Sequence, residues 1–285
     1  MKTLLTAAAF AGAVLGYYVL APVPASAVVD AEETKASDHT CSASNVAEFG
    51  ECVKSANNGK FDGIEVKAPI TCDDSTNLCQ FTLTNINRRF FVRGIANSRD
   101  GFHRSGEHGG YKHNTLTIEH SSGPLYVQDL VFDEGENQPL AYAYVAAHNP
   151  GVSIWTNGIS STCIAKEPPP GKSYMNPCPG DSVRIAASSS VIVDNVQFLE
   201  AKNFAIAVDS GSSTVTIRNS LFVDSFFNAI WSQNDGQIHG LHIENNKFKN
   251  IRSNALEISA DQPDPSDLAG RNAVSGNKIE NSHNT

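Results

Sequence analysis

Three stretches of this chain share one pattern: Val193-Asp194-Asn195-Val196-Gln197-Phe198, Ile217-Arg218-Asn219-Ser220-Leu221-Phe222 and Ile243-Glu244-Asn245-Asn246-Lys247-Phe248. Each stretch reads aliphatic-x-Asn-x-x-Phe, and the phenylalanines follow one another at intervals of 24 and 26 residues. An earlier copy ends at Phe132 and has Asp129 in place of the asparagine, and a weaker later copy ends at Ile279. A repeat of this length is typical of a solenoid, in which each repeat forms one coil that stacks on the next.

A second element follows each copy, and together the two elements predict three short strands per coil. This element is found at Asn203–Ile206, Asn228–Ile230 and Asn254–Leu256. Asparagine tolerates a left-handed backbone and bonds to nearby main chain, so it suits a sharp turn that recurs in every coil. We therefore expect Asn195, Asn219 and Asn245 to stack at one corner, and the three phenylalanines of the repeat to form an interior aromatic row.

Coils of this length with I-x-N-x-x-F and N-A-I/L resemble the right-handed parallel β-helix proteins of the pectin-lyase-like group. The pattern is clear from Val191 to about Ile258 and extends back to Ile64, so it covers most of the chain. The resemblance implies an all-β fold, a right-handed parallel β-helix solenoid with an N-terminal capping helix. Ser44–Asn57, with its apolar residues on one face, fits that helix and would cover the edge of the first coil.

The N-terminus has the features of a signal peptide. Lys2 provides a positive charge, an apolar run extends from Leu4 to Leu20, and Ala25-Ser26-Ala27 forms a cleavage site. We therefore expect a signal peptide at 1–27, an N-terminal segment with the capping helix at 28–60, and the β-helix at 61–285. The mature protein is expected to be secreted or periplasmic and free of the membrane, because no later stretch is apolar enough to span a bilayer.

Six cysteines in an exported chain predict disulfides, and all six are expected to pair. They are Cys41, Cys52, Cys72, Cys79, Cys163 and Cys178. Local closure favours Cys41–Cys52, Cys72–Cys79 and Cys163–Cys178, and other pairings stay open. A zinc site is disfavoured because no two cysteines have C-x-x-C spacing.

The net charge of −9 disfavours nucleic acid and anionic membranes as partners. It still allows a polysaccharide, including an acidic one that is bound by a few local cations. The oligomeric state is not predicted. The chain ends in mid-coil at Asn281–Thr285, so we expect either a truncated sequence or a partner over the open end.

In sugar-active proteins that this chain resembles, the site lies on the sheet formed by the third strand of each coil. The residues expected to face inward there are Val183, Ile206, Ile230 and Leu256. Because side chains alternate along a strand, the outer face is expected to carry Arg184, Asp209, Trp231, Gln233 and Glu257. We predict Trp231 and Gln233 as substrate contacts, and Arg184, Asp209 and Glu257 as catalytic groups. The alternative is a solvated sheet face with one exposed tryptophan.

A polysaccharide lyase acting on a uronate-containing glycan is our first functional interpretation. By resemblance to β-helix lyases, Asp209 and Glu257 would hold Ca²⁺ and Arg184 would remove the C5 proton as the base. A glycoside hydrolase would instead use the two carboxylates, which lie two coils or ~10 Å apart along the axis. A C5-epimerase is a third possibility, since Asp261–Asp267 resembles an epimerase motif with Ser266 in place of its histidine. A non-catalytic glycan-binding protein or adhesin is the alternative class.

Several family signatures are missing from the chain. The polygalacturonase motifs N-T-D, G-H-G and R-I-K do not occur together, and the pectate lyase patterns W-I-D-H and R-x-P-x-x-R are absent. Two long segments, 98–114 and 155–180, are expected to be loops that lean over a face of the solenoid. The first contains His103, His108 and His113, which we interpret as incidental polar residues rather than ligands of a transition metal.

Overall fold

A computed structural model of the chain describes residues 39–72, 79–104, 114–135, 180–225, 227–232, 238–258 and 272–282. Within these ranges the chain forms one helix and three parallel sheets. The predicted signal peptide, most of both long loops and the Asp261–Asp267 segment lie outside the described residues.

The three sheets, called A, B and C here, are built by strands that recur once per coil. Sheet A contains β1 (Thr40–Ala43), β2 (Gly63–Val66), β5 (Phe90–Arg93), β8 (Leu125–Gln128), β11 (Val191–Asp194), β14 (Ser213–Arg218), β17 (His239–Glu244) and β20 (Ala273–Ser275). Sheet B contains β3 (Pro69–Cys72), β6 (Gly101–Arg104), β9 (Val131–Asp133), β12 (Gln197–Leu199), β15 (Leu221–Val223), β18 (Lys247–Lys249) and β21 (Lys278–Glu280). Sheet C contains β4 (Phe81–Thr84), β7 (Leu116–Glu119), β10 (Val183–Ala186), β13 (Ile206–Val208), β16 (Ile230–Ser232) and β19 (Leu256–Glu257).

Apart from the β1–β2 pair, strands that neighbour each other in a sheet are three apart in chain order and pair in parallel. This order is that of a solenoid with three strands per coil, so the prediction of an all-β parallel β-helix is confirmed.

An aromatic row fills the interior behind sheet B. The rings of Phe132, Phe198, Phe222 and Phe248 stack in sequence with centroid separations of 5.3, 4.9 and 4.8 Å. All four side chains are at most 1% exposed. Their spacing matches the distance of ~4.8 Å between neighbouring parallel strands, so each coil contributes one ring to a continuous stack.

The corner between sheets A and B is formed by the repeated asparagine. Asn195, Asn219 and Asn245 have φ values of 53°, 53° and 55°, in the left-handed region that asparagine tolerates. Each backbone N–H donates to a carbonyl of the following coil, at 3.2, 3.1 and 3.0 Å. The predicted stack of these three residues at one corner is confirmed.

A buried polar ladder, which the sequence analysis did not identify, runs just inside the same corner. The backbone N–H of Val196 donates to Ser220 Oγ at 3.2 Å, and that of Ser220 donates to Asn246 Oδ1 at 2.9 Å. The N–H of Asn246 in turn donates to Asn277 Oδ1 at 2.9 Å. Backbone amides that turn away from the sheets are thereby paired, which removes the cost of burying them unbonded.

Helix α1 (Val46–Asn57) covers the N-terminal end of the solenoid. Asn45 Oδ1 accepts from the N–H of Glu48, and the Glu48 carboxylate accepts from the N–H of Ser44, so the two residues cap the helix reciprocally. The buried Phe49 ring contacts Phe102 edge-on at 4.9 Å and closes the aromatic row. The capping helix predicted at Ser44–Asn57 is confirmed.

Two of the three predicted disulfides are present. Cys41–Cys52 joins β1 to α1, and Cys72 is bonded to Cys79. Cys163 and Cys178 lie outside the described residues. In the described part of the chain, no helix is long and apolar enough to cross a membrane.

Removal of one ring from the aromatic row should be costly. Phe222→Ala leaves a cavity between Phe198 and Phe248, and we expect it to lower the free energy of unfolding by about 3–5 kcal/mol. Leu221→Ala is the matched control, because Leu221 is the adjacent residue of β15 and points outward. Chemical denaturation measures both changes, and equal losses in the two variants would contradict the interior position of Phe222.

Candidate functional site

The outer face of sheet C carries a row of four residues in register across neighbouring coils. Arg184 pairs with Ala207, Ala207 with Trp231, and Trp231 with Glu257. The preceding residues of β10, β13 and β16 are fully buried in the core. The structure therefore brings Arg184, Trp231 and Glu257 to one face, while Gln233 lies outside the described residues.

Arg184 and Asp209 form an ion pair across adjacent coils. The Nε–H of Arg184 donates to Asp209 Oδ2 at 2.7 Å. The Arg184 side chain is 40% exposed, whereas that of Asp209 is only 12% exposed. The other carboxylate oxygen of Asp209, Oδ1, is buried and makes no hydrogen bond to the described residues. An anchored guanidinium thus faces solvent, with an unbonded carboxylate oxygen beside it.

A second carboxylate, Asp181, stands behind Arg184. Its Oδ2 lies 3.6 Å from Arg184 Nη1, and its Oδ1 accepts from Asn203 Nδ2 at 2.7 Å. Burial raises the pKa of Asp181 to about 7, and attraction from Arg184 and the bond from Asn203 offset only part of this rise. The carboxylates of Asp209 and Glu134 raise it further. Asp181 therefore changes charge near neutral pH.

The two carboxylates also affect Arg184. Partial burial acts to lower the pKa of the guanidinium, but the hydrogen bond that Arg184 donates to Asp209 and the charges of Asp209 and Asp181 outweigh burial, so the pKa is raised. Arg184 is consequently held in its charged form. This opposes the base role predicted for Arg184, since a base must first lose its proton.

Trp231 is only partly exposed, less than the sequence analysis expected. Its ring stacks on Phe204 of the preceding coil, with centroids 4.9 Å apart and planes 8° from parallel. One face of the indole is therefore covered, and only the other face and the edge remain for a ligand. Between Arg184 and Trp231 in the row, Ala207 is fully buried.

Glu257 is held at the far end of the row by two amides. Its Oε2 accepts from Asn228 Nδ2 at 2.5 Å and from Asn254 Nδ2 at 3.3 Å. Asp209 pairs with Arg184 and Glu257 with the two asparagines, so the two carboxylates share no partner.

This arrangement does not fit the Ca²⁺ ion expected between Asp209 and Glu257. Calcium binds roughly six to eight oxygen ligands. The described residues contain no group of three or more His, Cys, Asp or Glu side chains that could hold a metal ion. The unbonded oxygen of Asp209 is a single ligand, and its partner Arg184 would repel a cation.

Of His103, His108 and His113, only His103 lies within the described residues, and it belongs to strand β6 rather than to the predicted loop. Its Nδ1 lies 3.3 Å from Asp133 Oδ2, and its Nε2 lies 2.7 Å from the carbonyl oxygen of Arg99. Both neighbours are acceptors, and the hydrogen bond to Asp133 raises the pKa of His103 despite its burial. Both ring nitrogens are thus used within the fold, which disfavours metal binding by this residue.

Neither a protein-family model nor a curated protein sequence matches this chain. Its function is therefore inferred from the geometry of sheet C. The residue that sequence patterns missed is Asp181, which occupies the same register position as Asn114 and Asn228. The available signal was an acidic residue at a position that holds asparagine in three of the other coils.

The raised pKa of Asp181 predicts how stability depends on pH. Its folded pKa of about 7 exceeds the ordinary value of 3.8, so between these values the folded state binds the proton that the unfolded state has lost. Stability should therefore fall as pH rises through this window. Asp181→Asn should weaken the fall and raise the melting temperature more at about pH 8, above the window, than at about pH 5, inside it.

Asp224→Asn, an exposed corner carboxylate, serves as the control for thermal denaturation at both pH values. Identical pH dependence of stability in Asp181→Asn and the wild type would show that Asp181 is already ionised across this range.

Proposed function

We propose that this protein is an exported polysaccharide lyase of the pectin-lyase-like type, which holds a uronate-containing glycan across the outer face of sheet C. The observation that carries the proposal is the Arg184 guanidinium, which faces solvent and is kept charged by two carboxylates behind it. Fold resemblance adds only an analogy, because β-helix solenoids serve many functions.

Arg184 is suited to bind the carboxylate of a uronate sugar. Asp209 uses the Nε–H, so the terminal N–H groups remain available for a ligand. A planar guanidinium matches a carboxylate through two parallel hydrogen bonds, and anchoring the side chain beforehand lowers the entropy lost on binding. Trp231 lies one coil beyond Ala207 in the same row, and Glu257 lies one coil beyond Trp231. Trp231 offers the glycan an apolar edge, and Glu257 offers a hydrogen-bond acceptor.

The charge on Arg184 favours different chemical roles from those expected from the sequence, with Asp209 rather than Arg184 as the base. Arg184 neutralises the uronate carboxylate, which makes the C5 proton more acidic. The Asp209 carboxylate, which pairs with Arg184, accepts that proton, and because its Oδ1 is buried in the free protein the side chain must turn toward the sugar when the glycan binds. The C5–H electrons form the C4–C5 double bond, and the bond from C4 to the glycosidic oxygen breaks, so that this oxygen leaves with the electron pair and is protonated by water.

A glycoside hydrolase is the second candidate, favoured by the contrast between Asp181 and Asp209. Asp181 titrates near neutral pH and Asp209 is paired with Arg184, and two carboxylates in different electrostatic environments are what acid–base hydrolysis requires. The burial of Asp181 counts against it, since its side chain is only 3% exposed.

Export is supported by the two disulfides, because such bonds persist in oxidising compartments. The segment 1–27 has the pattern of a signal peptide. Both features agree with action on a glycan outside the cytosol.

The test is incubation of the purified protein with polygalacturonate, alginate, glucuronan and a neutral glucan. Ultraviolet absorbance reports the unsaturated product of a lyase, and a reducing-end assay reports cleavage of any kind. We expect absorbance to rise with at least one uronate polymer and not with the glucan. Reducing ends without absorbance would identify the hydrolase, and binding without cleavage would identify a glycan-binding protein.

Arg184→Gln should lower kcat/KM by about a hundredfold or more, the effect expected when a group that stabilises developing charge is removed. Arg218→Gln is the matched control, because Arg218 forms an equivalent pair with Asp194 on sheet A, at 2.9 Å. Equal activity in the two variants would place the site away from Arg184, and inactivity of the wild type on every polymer would contradict the proposal.

A further inference from the structure

One register position of the solenoid carries a polar ladder that a single aromatic residue interrupts. The position lies two residues before the inward residue that begins the sheet C strands in β7, β10, β13, β16 and β19, and it is occupied by Asn114, Asp181, Phe204, Asn228 and Asn254. Between neighbouring coils the polar members bond to each other. The N–H of Asp181 donates to Asn114 Oδ1 at 2.9 Å, and that of Asn254 donates to Asn228 Oδ1 at 3.1 Å.

Phe204 cannot take part in this ladder, so its presence must be explained by another contact. Its ring is 5% exposed and lies parallel to the indole of Trp231, with centroids 4.9 Å apart. It thus lies outside the interior row of Phe198 and Phe222 and packs against the outer face of sheet C instead. The next two coils have asparagine at this position, so the fold accepts a polar residue there.

We infer that Phe204 is a positioning residue for glycan binding, which holds the indole of Trp231 in the plane that a sugar ring meets. This inference rests on the proposed function. Phe204 covers one face of the indole and so limits a ligand to the other face and the edge. An indole without this support would rotate about its side-chain bonds and would lose part of its affinity to the entropy of ordering.

The aromatic contact itself does the positioning. Stacked aromatic pairs contribute energy beyond the area that they bury, and the contribution depends on the orientation of the rings. Leucine at position 204 fills much of the same space without a ring, whereas tyrosine keeps the ring. Phe204→Asn introduces the residue that the next two coils have at the equivalent positions, Asn228 and Asn254, so this variant is compatible with the fold.

The chain has two tryptophans, Trp155 and Trp231, so a Trp155→Phe background leaves Trp231 as the only one. The test compares Phe204→Leu, Phe204→Asn and Phe204→Tyr in this background. Fluorescence titration with hexasaccharides of polygalacturonate and of alginate gives the dissociation constant, at a temperature where every variant is folded by circular dichroism. We expect the leucine and asparagine variants to bind about three- to tenfold more weakly, the range of an aromatic-pair contribution. Tyrosine should restore the affinity of the parent protein.

The outcomes separate the two proposals. If the parent protein binds neither of these hexasaccharides nor a glucuronan hexasaccharide, the proposed function fails and Phe204 has no glycan to position. If the parent binds and Phe204→Leu binds equally well, Phe204 has only a packing role and the inference is overturned. A folded leucine variant whose Trp231 emission shifts and whose affinity falls, with tyrosine restoring both, supports it.

Discussion

The stacking of one coil on the next through a left-handed asparagine corner is the interaction on which the rest of this structure depends. Asn195, Asn219 and Asn245 let the chain turn sharply from sheet A to sheet B at the same point of every coil. The turn keeps the phenylalanine three residues later in register, and the rings of Phe198 and Phe222 stack at 4.9 Å. Coil length between these corners varies, but the register of each strand does not.

That register also places the candidate site. In a β-strand a slip of one residue exchanges the inner and outer faces, and a slip in β10 would bury Arg184 in the core. With Val183 inward, Arg184 reaches the outer face, where Asp209 and Asp181 hold its charge. The corners that stabilise the solenoid therefore also keep Arg184 and Trp231 in register on sheet C. The proposed glycan-binding row depends on this register.

The fold could be predicted from the sequence because its main determinants recur at a fixed interval. The I-x-N-x-x-F repeat identified the corner and the aromatic row, and the N-A-I/L element that follows it identified the inward face of sheet C. Helix α1 followed from its apolar face. Interactions that join different coils without repeating could not be predicted. Phe204 interrupts a ladder that becomes visible only in register, and the pKa of Asp181 depends on burial by distant residues. The stack on Phe204 also made Trp231 less exposed than alternation alone implied.

The most direct test of the central claim is a crystal structure of the Asp209→Asn protein with a bound uronate hexasaccharide. We expect density for the sugar across the outer face of sheet C. A uronate carboxylate should lie on the terminal nitrogens of Arg184, and a sugar ring should lie against the free face or edge of Trp231. Density on sheet A or sheet B, with the Arg184 row empty, would contradict it.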